Sequence, residues 1–305
     1  QSNVTSYGAT TVAIITLEAF AGMWINAFII CVLCIAWIKK KTLNSSEKIL
    51  LLLGCCRCCY FCLSWVHYFL SKIYPYYLYV HPIIQLITYF QTFFNYSNLW
   101  VSACLCVFYC IKIASFRNRF FIYLKGKIDR TVPWLLLGSG IFSSAFSIII
   151  YDLAETVYNN NLNFTCLGNF WGPSVRMDEH FFSSLFLMGF GYAASFTAVT
   201  FSAVFLLFSL WRHKCRMKTN SMKNLSMDAH IRAIKSILSF LVMYSINFVC
   251  LILTIIYANK NEDIMILLVS IYLHAFPGVH SLILILSNPK LETALLKILS
   301  CVKCK

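Results

Sequence analysis

The sequence predicts an all-α membrane protein: a bundle of seven transmembrane helices with an extracellular N-terminus and a short amphipathic C-terminal helix. Three observations carry that prediction. The 305 residues are 60% hydrophobic and only 12% charged, against about 45–50% and about 25% in soluble domains. Such a chain cannot cover a water-facing surface with polar groups, which excludes a soluble enzyme. Apolar stretches long enough to cross hydrocarbon, about 20 residues each, recur along the whole length. The excess of 25 Lys+Arg over 11 Asp+Glu is gathered in alternate connections, the charge asymmetry of a membrane topology, so no nucleic-acid partner is needed to explain it.

The first span, 8–38, is too long for the apolar part of a cleavable leader and is expected to act as its own signal anchor. Lys39-Lys40-Lys41 ends it, and the second span, 46–71, carries Arg57 among cysteines. Tyr74-Pro75 and His81-Pro82 punctuate the next connection. The third span is 82–112, and a basic stretch from Arg117 to Arg130 separates it from the fourth, 131–152. An Asn-rich loop around Asn159 to Asn163 precedes the fifth, 181–211. The cluster from Arg212 to Lys223 precedes the sixth, 233–258, and Asn259 to Asp263 leads into the seventh, 263–287. The amphipathic segment 289–305 closes a single domain, 1–305, since no connection is long enough to hold a second.

With the Lys39 connection inside, 21 of the 25 basic residues fall on that side, in 39–48, 112–130, 212–235 and the tail 290–305. Glu155, Asp178, Glu179, Glu262 and Asp263 lie on the other, so the N-terminus is expected outside and the protein multi-pass. Of five Asn-x-Ser/Thr sequons, this topology leaves Asn3 and Asn163; Asn163, in mid-loop, is the better glycosylation site. Most of the 15 cysteines sit inside apolar spans, where a thiol behaves as a small core residue. No His or carboxylate shares those stretches at ligand spacing, so neither a metal site nor a cofactor is implied. Cys301 and Cys304, beside lysines in the tail, are S-palmitoylation candidates.

Five motifs on five spans carry an identity. The first has Glu18-x-x-x-Gly22-x-x-x-Asn26, and the third ends Leu105-x-x-Phe108-Tyr109-x-x-Lys112 where common receptors of this shape carry Asp-Arg-Tyr. The fifth ends Leu206-x-x-Ser209-Leu210-Trp211-Arg212-His213-Lys214. The sixth reads Ala229-His230-x-x-Ala233-x-Lys235-x-x-x-Ser239-Phe240-Leu241-x-x-Tyr244, and the seventh has His280-Ser281-Leu282-Ile283-Leu284-Ile285-Leu286 in place of Asn-Pro-x-x-Tyr. Together with Arg57, this set resembles the type 2 bitter taste receptors over about residues 10–300. The resemblance implies a G-protein-coupled receptor of the plasma membrane. It would bind bitter small molecules between its helices and activate a heterotrimeric G protein of the gustducin, inhibitory type. It implies no enzyme. Vomeronasal type 1 receptors share the outline, and a transporter or channel is the rival from another class. Against the latter stand the lack of internal repeats and of a broken helix pair.

Site residues follow from these readings. A charge in a span costs about 2.5–3.5 kcal/mol unless it faces the bundle and finds acceptors, so Arg57 is expected to join Asn26 and Ser281 in an interhelical lock, either a switch or a static joint. Glu18 must pair or be protonated. Tyr109, Lys112, Lys214, Arg216, His230 and Lys235 form the expected G-protein and switch face, with simple positive-inside anchoring as the alternative reading. A ligand site should lie in the outer half of the bundle, lined by aromatics and a few polar groups. Its candidates are Gln91 and Asn95, one turn apart on the third span, with Trp65, Tyr68, Tyr192, Tyr244, Asn247, Ser270 and His274. The family usually has Trp where this chain has Gln91, Asn as at Asn95, and often Pro where it has Ser195.

Overall fold

A computed structural model describes residues 2–73, 83–114, 119–162, 179–217, 225–258 and 263–303. They are helical almost throughout: α1 Ser2–Lys40, α2 Ser45–Ile73, α3 Ile83–Ile113, α4 Arg119–Leu162, α5 Glu179–Met217, α6 Leu225–Ala258, α7 Asp263–Ser287 and α8 Pro289–Lys303. Among the described residues, α1 to α5 contain segments long and apolar enough to cross a membrane, and α6 and α7 contain shorter ones, Ile237–Cys250 and Ile271–Ser287. The helices outrun the apolar segments. The basic stretch read as a connection is helical from Arg119 onward, because Lys and Arg are good helix formers in water and hydropathy marks where lipid begins rather than where a helix begins. Pro133 therefore lies inside α4, fifteen positions into a 44-residue helix.

α3 is the central strut, packed against α2, α4, α5 and α6, while α1 packs against α2, α7 and α8. Two large apolar clusters flank it. One joins Ile29 and Leu33 of α1, Leu50 and Leu53 of α2, Val101 and Phe108 of α3, and Leu291 of α8. The other joins Tyr96, Phe146, Tyr192, Phe240, Tyr244 and Phe276 from α3 to α7. Lipid tails are as apolar as leucine, so such helices gain mainly by close packing and interhelical hydrogen bonds. Gly22 serves the first: a Cβ there would overlap the ring of Phe61, and a Cβ added at Gly278 of α7 would stand 3.6 Å from the Gly22 Cα.

Side chains cap the helix ends at the basic end of the bundle. Lys41 ends α1 in the left-handed region at φ 56°, with its N–H donating to the Trp37 carbonyl at 2.7 Å. Glu47 accepts from the Asn44 N–H at 3.1 Å and from Lys290 Nζ at 2.5 Å. The first contact is half of a capping box at the start of α2, and the second clips α8 to α2. Asn288 caps α8 by accepting from the Lys290 N–H at 3.0 Å, and Pro289 takes the first helical position, where its missing N–H costs nothing.

Candidate functional site

The centre of the bundle holds a buried cation. Arg57 is 0% exposed. Its Nε donates to Asn98 Oδ1 at 2.7 Å, Nη1 to Ser281 Oγ at 2.6 Å, and Nη2 both to Ser102 Oγ at 3.3 Å and to His280 Nδ1 at 2.5 Å. A guanidinium has no lone pair to offer, so Nδ1 of His280 must accept and its ring proton sits on Nε2. Ser281 Oγ in turn reaches Asn26 Oδ1 at 2.7 Å and the Pro277 carbonyl at 2.9 Å; its single hydroxyl proton serves one of these at a time. Asn26 is held by donating from Nδ2 to the Gly22 carbonyl at 2.8 Å. Arg57, Ser281 and Asn26 are thus brought into one chain, although Asn26 meets Arg57 only through Ser281.

Sequence reasoning missed Asn98, Ser102 and His280. The signal was present in α3, where Gln91, Asn95, Asn98 and Ser102 recur at intervals of four, three and four, a polar stripe down one helix face. The His280 ring is fixed by stacking on Phe240, with centroids 4.1 Å apart.

The candidate ligand residues divide into two groups. On one side, Asn95 Nδ2 donates to the Tyr192 hydroxyl at 2.6 Å, joining α3 to α5. Tyr244 and Ser195 share a hydrogen bond of 2.5 Å that joins α5 to α6. Ser195 also donates back to the Tyr192 carbonyl at 2.9 Å as the alternative use of its proton. A proline there would offer neither contact. Tyr244 stacks nearly parallel to Phe196 at 5.9 Å, and Asn247 is buried beside it one turn along α6.

The second group lines α1, α2, α3 and α7. Gln91 Nε2 donates to Ser64 Oγ at 3.2 Å, Trp65 Nε1 to Thr16 Oγ1 at 3.3 Å, and Tyr68 is hydrogen-bonded to Thr11. The His274 ring lies 6.3 Å from that of Tyr60. One oxygen of Glu18 is buried here with no hydrogen-bond partner among the described residues. The side chain of Ser270 lies outside the described residues.

At the basic end a cavity of about 630 Å³ opens, lined by Asn44, Ser46, Tyr109, Lys112, Asp129 and Asn288 with several neighbours. Lys112 Nζ donates to both oxygens of Asp129 at 3.1 Å and stands 5.1 Å from the Phe108 ring centroid. Both partners are about half exposed, so solvent screens the pair and its worth lies in position more than in stability. Tyr109 and Leu284 line this cavity and also a small void beneath His280 and Ser102, so two side chains part the Arg57 network from the open end. The side chains of Lys214, Arg216, His230 and Lys235 lie outside the described residues, as do Asn163 and Cys304. Cys301 is exposed on α8.

Known proteins share this fold and sequence pattern. The family model described as Taste receptor protein (TAS2R) matches residues 4–303. Taste receptor type 2 member 9 of Homo sapiens is 31% identical over 304 residues, covering 97% of this chain and 95% of the relative. Taste receptor type 2 member 7 of Macaca mulatta is 30% identical over 295 residues, covering 95% and 92%. Among solved structures, squid rhodopsin superposes with a TM-score of 0.70 over 96% of this chain and 83% of its own, at 12% identity, a likeness of fold. A multi-pass helical bundle built on that fold, matched nearly end to end by one family of receptors rather than enzymes, places the chain: it belongs to the taste receptor type 2 family.

Proposed function

We propose that this protein is a bitter taste receptor of the plasma membrane, with its N-terminus and the Asn163 sequon outside and its basic end facing the cytoplasm. A small molecule binds between the helices at the Asn95, Tyr192 and Tyr244 ladder. The ligand competes for the hydrogen bonds that Asn95 makes to Tyr192 and Tyr244 makes to Ser195, and so shifts the relative positions of α3, α5 and α6. The G protein, of the gustducin, inhibitory type, docks at the basic end around Tyr109 and Lys112.

The observation that carries this reading is the Arg57 joint. A wholly buried cation holds α2 to α3 and α7 through four neutral groups and has no carboxylate among its described partners. Neutral acceptors can be exchanged without stranding a counter-ion, which suits a joint that must have two settings.

The test is calcium release in cells expressing the receptor with a promiscuous chimeric G protein, screened against a panel of bitter compounds. Asn95→Ala is expected to right-shift the response by roughly tenfold, the worth of about one to two hydrogen bonds. Lys112→Ala is expected to lower the maximum. Silence of the parent to the whole panel, with normal surface expression, would shift the reading to a pheromone-type receptor.

A further inference from the structure

One stripe of α4 passes from cations to apolar residues without interruption. Arg119, Tyr123, Lys127, Arg130, Trp134, Leu137 and Ile141 follow one another at intervals of three or four residues, and all are exposed. That spacing keeps them on a single helix face turned away from the bundle. From Trp134 onward the face is apolar and meets lipid tails; Trp134 itself, 72% exposed, has the amphipathic ring that settles at the headgroup level.

Measured along the helix at about 1.5 Å per residue, Arg130 stands about 6 Å beyond Trp134, Lys127 about 10 Å and Arg119 about 22 Å. Arg119 and Arg130 make no hydrogen bond or ion pair among the described residues. Lys127 is held against the stripe by Tyr123, donating to its hydroxyl at 2.5 Å with Nζ 4.4 Å from its ring centroid. Lys125, on a neighbouring face, donates to the Ala114 carbonyl at 3.4 Å. Asp129 is the one acid between Arg119 and Trp134, and both its oxygens are taken by Lys112. Among the described residues, no acid neutralises the cations of the stripe.

We propose that this stripe binds the headgroup of a phosphorylated phosphatidylinositol. The headgroup zone is about 5–7 Å deep on each side of the hydrocarbon, so the glycerol phosphate of any phospholipid reaches Arg130 and goes no farther. A phosphorylated inositol ring stands out into water and puts a second phosphate at the height of Lys127. The Arg130 guanidinium matches a phosphate with paired N–H groups, while Lys127 supplies a point charge already fixed in place by Tyr123.

The full chain is purified into nanodiscs of phosphatidylcholine alone, or with either phosphatidylserine or a bisphosphorylated phosphatidylinositol at matched lipid charge, and retained lipid is counted by native mass spectrometry. The bisphosphorylated lipid is expected to be retained preferentially. At about 1 kcal/mol per cation, Lys127→Gln or Arg130→Gln alone should cost about fivefold in affinity and both together roughly thirtyfold. Lys297→Gln on α8 should cost nothing. Equal retention of phosphatidylserine, or full retention by the double variant, would overturn the proposal. Only the lipid met in the cell depends on the basic end facing the cytoplasm. A nanodisc presents both leaflets alike, so failure here is separable from a reversed topology.

Discussion

At Arg57 the energetics turn on the geometry of the donors more than on the charge. Placing an arginine at this depth costs about 2.5–3.5 kcal/mol, whereas each hydrogen bond to a charged group returns about 1.5–3 kcal/mol, so four contacts outweigh the burial. Lysine carries the same charge on a single ammonium and cannot reach acceptors on α3 and α7 together. Arg57→Lys is therefore expected to strand at least one buried acceptor and lower stability by about 1–3 kcal/mol. Ser281→Ala, which removes one contact to Arg57 and one to Asn26 Oδ1, should cost a similar amount. Thermal unfolding of the purified receptor measures both, and an unchanged melting temperature for Arg57→Lys would refute the account. That Arg57 needed partners was legible from hydropathy alone, and Ser281 was within reach of the argument. His280 was not, because an imidazole acting as acceptor leaves no mark in sequence and depends on Phe240 fixing the ring.

At the scale of the helices, the close approach of α1 and α7 rests on residues without side chains. A methyl at position 22 meets the ring of Phe61, which is 1% exposed and has no room to retreat. Gly22→Ala is expected to force α1 and α2 apart and cost about 1–3 kcal/mol as overpacking, seen as lower surface expression at unchanged transcription. Gly22 stood in the first-span motif, but why it had to be glycine could be seen only with Phe61 in place. Hydropathy located the apolar stretches and missed the helix ends, since the first three turns of α4 interleave Phe121, Ile122, Leu124 and Ile128 with Arg119, Lys125, Lys127 and Asp129. Asn44 with Glu47 and Asn288 with Pro289 are start signals that local sequence does carry. The clip between Glu47 and Lys290 is tertiary and had no local trace.

For the whole molecule, the two ends of the bundle are in contrasting states. Asn95, Tyr192, Tyr244, Gln91 and Trp65 are each engaged by a neighbouring side chain, while the basic end opens on a cavity whose lysine is engaged by Asp129. If Lys112 must leave Asp129 to meet a G protein, Asp129→Asn should raise signalling in the absence of ligand with little effect on stability, since the pair is half exposed. Ligand-independent G-protein activation, normalised to surface expression, reads this directly; a basal level equal to the parent's would leave Lys112 as an anchor. Fold and family were legible because membrane topology is written in the spacing of charges and apolar runs, and identity in motifs at helix ends. The division of the ligand candidates was not, because it depends on which faces of α3 meet α2 and α5.

The Arg57 joint also imposes an order of manufacture. Its α3 partner Asn98 is encoded 41 residues later, but Ser281 follows only after 224. At about 5–20 residues per second the ribosome takes roughly 10–45 s to supply the second. Throughout that wait a newly inserted hairpin carries a cation held from one side alone. Until α7 arrives the cation has only its α3 acceptors, and a nascent chain cut short before residue 280 has no means of completing the joint. The last span made is the one that closes the second.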